Sequence, residues 1–172
     1  MLWHGIFSAK PKRSGHSAKP SLIKAVTWRK PQPITILTMK FGIIVSEFNP
    51  QISEALLESC LRGFEEQGIK PDVVRVPGAL EIPLTIQDYI HQKHPKAVVA
   101  LGCIVKGETD HYEALSRMCS QGIMEVMLKT HTPIIFEVLM VDDIKKAVAR
   151  IQKGYEAAFT AVKMSGLIRN IL

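Results

Sequence analysis

The amino-acid sequence predicts an α/β fold, with an open parallel sheet and helices packed on both faces. From Phe41 onward, four short apolar runs alternate with segments whose apolar residues recur at the spacing of an α-helix. The runs are continuous, which is typical of parallel strands that are buried on both faces. Of the 172 residues, 47% are hydrophobic, enough for one packed core and too many for a disordered chain.

The first strand is predicted at Phe41–Ser46. Asn49 and Pro50 follow it, which indicates a helix with an asparagine cap and a proline at its first position. Gly68 is the predicted end of that helix, because glycine tolerates the left-handed conformation found after helix C-termini.

The second strand is predicted at Asp72–Val76, and the Pro77-Gly78 turn separates it from a helix. Pro83 falls in the first turn of that helix, where the backbone N–H groups lack partners anyway. Two further strands are predicted at Lys96–Cys103 and Pro133–Leu139. A long helix at 111–129 lies between them, and a final helix is predicted at Ile144–Val162.

The net charge of +6 belongs to the beginning of the chain. Residues 1–40 contain eight Lys and Arg and no acidic residue, so the remaining residues have a net charge of −2. We therefore predict a basic, disordered leader (1–38), a globular domain (39–172) and no nucleic-acid surface. The leader is also compatible with a transit peptide or with an extension upstream of a start at Met39. Cytoplasm is the expected location, with a plastid as the alternative.

Several classes of protein are excluded by what the sequence lacks. No apolar run approaches the roughly 20 residues needed to cross a bilayer, so no membrane association is expected. Three scattered cysteines without CxxC spacing argue against a disulfide scaffold or a zinc module, and no metal site is predicted. Because neither a dinucleotide glycine motif nor a P-loop is present, no nucleotide cofactor is expected.

Chemistry-bearing residues follow the predicted strands. Phe48 comes after the first strand, Glu81 after the second and His111 after the third, while Phe136 lies on the fourth. Parallel sheets bind ligands beyond the carboxyl ends of their strands. The sequence therefore predicts a small-molecule site at that edge of the sheet.

Three segments at these strand ends, SEFN (46–49), VPGALEIP (76–83) and LGCIVKGETDHY (101–112), together resemble the 6,7-dimethyl-8-ribityllumazine synthase family. The resemblance runs from about Lys40 to the C-terminus. It implies a three-layer, flavodoxin-like fold and homo-pentamers, which in some members build sixty-subunit shells, with active sites between adjacent subunits. It also implies condensation of 5-amino-6-ribitylaminouracil with 3,4-dihydroxy-2-butanone 4-phosphate, without a cofactor, and makes riboflavin synthase a candidate partner.

The same resemblance assigns roles to residues. His111 matches the proton-transfer histidine and Phe48 the aromatic that stacks on the pyrimidine. The matched substrate-binding residues are Ala79, Leu80 and Glu81 for the ribityl chain; Cys103, Ile104 and Val105 for the pyrimidine pocket; Glu108 and Thr109 for phosphate; and Phe136 and Arg150, supplied by the neighbouring subunit.

Structural roles remain open for some of these residues. The structural alternatives are a hydrogen bond at a helix start for His111, a place in the core for Phe48 and a solvated helix face for Arg150. Asn49 is either a ligand contact or a helix cap, and Asp110 with Glu113 would form a capping pair.

The sequence also departs from the family pattern. Leu80 stands where many relatives have an aromatic residue, and Glu137, Met140 and Val141 replace a glycine and two threonines. The loop after Arg150 is short, which leaves the role of Lys153 and the choice between pentamer and shell open. Two rival functions are an archaeal-type riboflavin synthase and a non-catalytic ligand-binding or shell protein. The GETDH loop (107–111) argues against the first rival, because phosphate binding and proton transfer are required by the step that forms the lumazine. The presence of His111 and Arg150 argues against the second.

Overall fold

A four-stranded parallel sheet forms the centre of the part of the chain that the structure describes, with strand order β2-β1-β3-β4. The computed structural model describes residues 40–107 and 111–171, with side chains as far as Ile168, so the predicted leader and residues 108–110 lie outside the described residues. The strands are β1 (Phe41–Ser46), β2 (Asp72–Val76), β3 (Ala97–Val105) and β4 (Ile134–Val141). The helices are α1 (Pro50–Glu65), α2 (Ile82–Lys93), α3 (His111–Thr130), α4 (Ile144–Val148) and α5 (Lys153–Ile171).

Two hydrophobic layers cover the two faces of this sheet. Successive strand residues point to opposite faces, so Ile43 packs with the α1–α5 layer and Ile44 with the α2–α3 layer, both fully buried. The continuous apolar runs of β1 and β3 are thereby explained, because both strands are central and covered on both sides. The predicted three-layer α/β class is confirmed.

Helices α1 and α5 pack against each other at very short range. A Cβ atom at Gly154 would lie 2.2 Å from the carbonyl oxygen of Leu56, and one at Gly63 would lie 2.7 Å from that of Tyr155. Each glycine therefore admits the backbone of the opposite helix. Gly68 adopts the left-handed conformation with a φ of 68°, and it follows three residues after α1 ends at Glu65.

The prediction of one helix over Ile144–Val162 is wrong. The chain leaves the helix after Val148, makes consecutive turns through residues 149–152 and resumes as α5 at Lys153. The apolar spacing suggested a single buried stripe, but Ile144 and Val148 are exposed and Ala147 is the buried residue of α4. In the turns, N–H groups bond to the third residue back, as when Arg150 donates to Ala147.

Helices of the described ranges do not combine the length and apolar character needed to span a bilayer. Within the same ranges, no three His, Cys, Asp or Glu side chains are grouped closely enough to hold a metal ion.

Candidate active site

A cavity of about 390 Å³ lies at the carboxyl ends of the strands, beside the start of α3. Its lining includes eight of the residues proposed from the sequence: Phe48, Ala79, Leu80, Glu81, Cys103, Ile104, Val105 and His111. They come from the ends of β1, β2 and β3, which the parallel topology brings to one edge. Glu108 and Thr109 lie outside the described residues.

Phe48 presents its ring at the mouth of this cavity, with 67% of the residue exposed. Its backbone is held on both sides. The Phe48 N–H donates to Ser46 Oγ at 3.2 Å, and the Phe48 carbonyl accepts from Ser53 Oγ at 2.9 Å. The structure therefore does not support the alternative that Phe48 is a core aromatic.

Asn49 precedes α1 but its side chain does not cap the helix. Its φ is 54°, in the left-handed region, and no helix N–H donates to its side chain. Instead, Asn49 Nδ2 donates to the Cys103 carbonyl at 2.9 Å. Asn49 thus joins the end of β1 to the wall that β3 provides. Asparagine is one of the few residues that adopt this backbone conformation at low cost.

The end of β3 forms an apolar wall of the cavity. The strand continues to Val105, two residues beyond the predicted end, so Ile104 and Val105 belong to the sheet. Cys103 is 2% exposed, and burial raises the pKa of its thiol. The thiol is therefore protonated near neutral pH and serves as a small apolar lining group rather than as a nucleophile.

A short 3₁₀ turn, Ala79–Glu81, follows β2 and forms the second wall. A Cβ atom at Gly78 would lie 2.9 Å from Glu81 Oε2, so the absence of a side chain at Gly78 leaves room for the Glu81 carboxylate. Leu80 is 39% exposed. The turn thus offers an exposed carboxylate and an aliphatic side chain to a ligand.

His111 is the first residue of α3, and its exposed side chain lines the cavity. Close to it, Lys106 Nζ lies 2.6 Å from Glu113 Oε1 and 5.8 Å from the centroid of the Tyr112 ring. This ion pair raises the pKa of Lys106 and lowers that of Glu113. The described partner of Glu113 is thus Lys106, while Asp110, its predicted capping partner, lies outside the described residues.

Four further residues line the cavity and were not proposed from the sequence: Gly78, Gly107, Tyr112 and Leu115. Tyr112 and Leu115 were interpreted only as part of the apolar stripe of α3. The helical spacing could have predicted Leu115, because a residue four positions after His111 lies on the same side of the helix. If His111 faces a ligand, Leu115 is expected beside it.

Phe136 and Arg150 do not line this cavity. Phe136 pairs with Ala100 in the β3–β4 register and is 37% exposed, and Arg150 is exposed in the turns between α4 and α5. Nearby, Lys153 forms an ion pair with Glu156. Glu137 is half-buried, and burial raises the pKa of its carboxyl.

An apolar cavity lined by two aromatic residues, one carboxylate and one histidine, at the strand ends of a parallel sheet, is typical of an α/β enzyme that acts on a small polar molecule. Sequence comparison gives the family. The family described as 6,7-dimethyl-8-ribityllumazine synthase matches residues 38–169.

Two proteins of that name are similar to this chain. One, from Paracidovorax citrulli (strain AAC00-1), is 40% identical over 139 residues, which is 77% of this chain and 89% of that protein. The other, from Azoarcus sp. (strain BH72), is 38% identical over 135 residues, or 76% and 86% of the two chains. The chain therefore belongs to the 6,7-dimethyl-8-ribityllumazine synthase family, and it is a transferase of riboflavin biosynthesis.

Proposed function

We propose that this protein condenses 5-amino-6-ribitylaminouracil with 3,4-dihydroxy-2-butanone 4-phosphate. The products are 6,7-dimethyl-8-ribityllumazine, one phosphate and two waters. One observation carries the proposal: in a chain of this family, Phe48, Glu81 and His111 come from three strand ends to line one cavity. Each has the chemistry that one part of the reaction requires.

The cavity offers the uracil substrate a surface that matches its aromatic ring and its ribityl chain. Its ring stacks on the exposed Phe48 ring, since aromatic faces favour offset stacking. The ribityl hydroxyls donate to the Glu81 carboxylate, and the main chain of Ala79 and Leu80 lies alongside. Cys103, Ile104 and Val105 close the apolar side of the pocket. Leu80 gives the ribityl chain an aliphatic neighbour, where many relatives offer an aromatic one.

His111 moves the protons. An amine attacks a ketone to form a Schiff base, and phosphate is then eliminated, so a group must both give and take protons near neutral pH. A histidine side chain suits that task because its imidazole ring can both accept and donate a proton. Holding the two substrates together supplies much of the remaining acceleration, and no covalent nucleophile is needed.

The phosphate of the second substrate is placed at the start of α3. Glu108 and Thr109 immediately precede that helix in the sequence, and a helix N-terminus favours an anion through its free N–H groups. Arg150 of a neighbouring copy supplies a guanidinium, which binds phosphate oxygens in a bidentate manner.

The proposal therefore includes a homo-oligomer with active sites between subunits, a pentamer as the family resemblance implies. Phe136 and Arg150 lie away from the cavity of their own chain and are exposed, as residues that complete the cavity of an adjacent copy would be. A pentamer and a sixty-subunit shell use the same shared site, and particle mass measured in solution distinguishes them.

Mixing two impaired variants, assayed at a butanone phosphate concentration that limits Arg150→Ala, tests both the histidine and the shared site. His111→Ala should slow turnover by about 10²–10⁴-fold, the usual contribution of a positioned acid–base group. Arg150→Ala should weaken use of the butanone phosphate. His91→Ala is the matched control, because His91 is an exposed helical histidine that does not line the cavity, and it should leave turnover unchanged.

Subunits of the two variants are then unfolded together and refolded as mixed oligomers. If each site takes His111 from one subunit and Arg150 from the next, about a quarter of the sites in an equal, random mixture contain both. Activity should return to about that fraction of the wild-type value. Mixtures that stay as inactive as the separate variants would contradict the shared site, and a His111→Ala variant with normal turnover would contradict the mechanism.

A further inference from the structure

Two buried serines hold the backbone of Phe48. Ser46 Oγ accepts from the Phe48 N–H, and Ser53 Oγ donates to the Phe48 carbonyl. Ser46 is 1% exposed and Ser53 is 0% exposed, whereas Phe48 is 67% exposed. A surface aromatic residue is thus attached to the interior through its main chain, while its ring stays free for a ligand.

The hydrogen bond of Ser53 differs from those of other hydroxyls in the helices. A helical serine or threonine commonly bonds to the carbonyl four residues earlier. Ser120, Thr130 and Thr160 do so here. Ser53 instead reaches the fifth residue back, because the Asn49 carbonyl already accepts from the N–H groups of Ile52 and Ser53. The Ser53 hydroxyl is therefore directed out of the helix to the residue that carries the ring.

We propose that Ser53 is a positioning residue for Phe48. It fixes the backbone from the carbonyl side, as Ser46 does from the N–H side, and so holds the ring at the mouth of the cavity in the orientation that stacks on the pyrimidine. This inference rests on the proposed function. A ring that is already ordered loses less conformational entropy when the ligand binds, so it contributes more of its stacking to affinity.

The test compares two serines of the same helix. Ser53→Ala removes the hydrogen bond to Phe48. Ser59→Ala is the matched control, because Ser59 is also 0% exposed and its hydroxyl has no hydrogen-bond partner within the described part of the chain. Ser53→Ala should raise the KM for 5-amino-6-ribitylaminouracil about 2- to 10-fold, the equivalent of one hydrogen bond. The KM for the butanone phosphate should not change, and Ser59→Ala should change neither.

A double-mutant cycle shows whether Ser53 acts through the ring. In a Phe48→Ala background, Ser53→Ala should cause no further loss of affinity for the uracil, because no ring remains to be positioned. An equal loss in both backgrounds would overturn the proposal. So would a Ser53→Ala variant that is indistinguishable from Ser59→Ala while the wild type turns over normally.

Ser46→Ala keeps the test valid if Ser53→Ala does not fold. Ser46 accepts from the N–H of the same residue, so its loss should raise the same KM and should also have no effect without the Phe48 ring. A wild-type protein that fails to form the lumazine product would instead refute the proposed function. The two failures are therefore distinguishable.

Discussion

Replacing Gly154 with alanine should destabilise the protein more than most single substitutions in a helix. Gly154 lies near the start of α5, where α5 meets α1. The added Cβ atom would lie 2.2 Å from the Leu56 carbonyl oxygen and 3.2 Å from the Cys60 amide nitrogen. Both atoms belong to the backbone of α1, so no side-chain rotation can relieve the clash.

The size of the effect follows from that geometry. The two helices must separate by about 1 Å to restore ordinary contact, and the facing residues on α1 would lose part of their packing. Overpacking typically costs about 1–3 kcal/mol, and a backbone clash belongs at or above the upper end. Alanine returns about 1 kcal/mol through its higher helix propensity. The net loss should be about 2 kcal/mol or more, and a loss of that size lowers the Tm by several degrees.

Gly166 gives the matched control on the same helix. A Cβ atom there would have no neighbour within 4 Å, so Gly166→Ala should stabilise the protein by about 0.5–1 kcal/mol. Thermal and urea unfolding of both variants measure the contrast. Equal shifts of the two variants, in either direction, would refute the reasoning that the α1–α5 contact requires glycine at position 154.

Two further predictions concern pH. Burial raises the pKa of the Glu137 carboxyl, so the charged form is disfavoured in the folded state, and Glu137→Gln should raise the Tm at pH 7. The gain in Tm should shrink as the pH falls and the carboxyl of the wild type becomes protonated. A gain in Tm that is independent of pH would contradict this assignment. Burial also raises the pKa of the Cys60 thiol to about 12, so stability should fall as pH rises from about 9 toward 12, because only the unfolded thiol ionises there. Cys60→Ala should lower the Tm at pH 7, through the cavity it leaves, but flatten that alkaline decline, and an equally steep decline would exclude Cys60 as its source.

Most of the fold could be predicted because β1 and β3 are buried on both faces and therefore read as continuous apolar runs. Pro50, Gly68 and Pro83 have local backbone requirements that do not depend on tertiary contacts, so their positions were predicted correctly. All eight of the cavity residues proposed from the sequence lie in strand-end segments, and parallel topology alone makes those ends converge.

The break between α4 and α5 could not be predicted in the same way. No proline or glycine separates Val148 from Lys153, and the apolar spacing continues across the turns. The approach of Gly154 to α1, a contact distant in sequence, lies directly after the break. The hydrogen bond from Asn49 to the Cys103 carbonyl could not be predicted from the sequence either, since it joins residues that are 54 positions apart.

The exposure of the cavity rim has a consequence for redesign. Phe48, Leu80 and Glu81 are exposed and lie outside both hydrophobic layers, so the folding free energy depends little on their side chains. If the proposed function holds, substitutions at Leu80 and Glu81 should alter which polyhydroxy chain the pocket accepts while the core stays intact. At these rim positions an exchange of ligand preference should leave folding intact, unlike at Cys103 and Ile104, which belong both to the cavity wall and to the core.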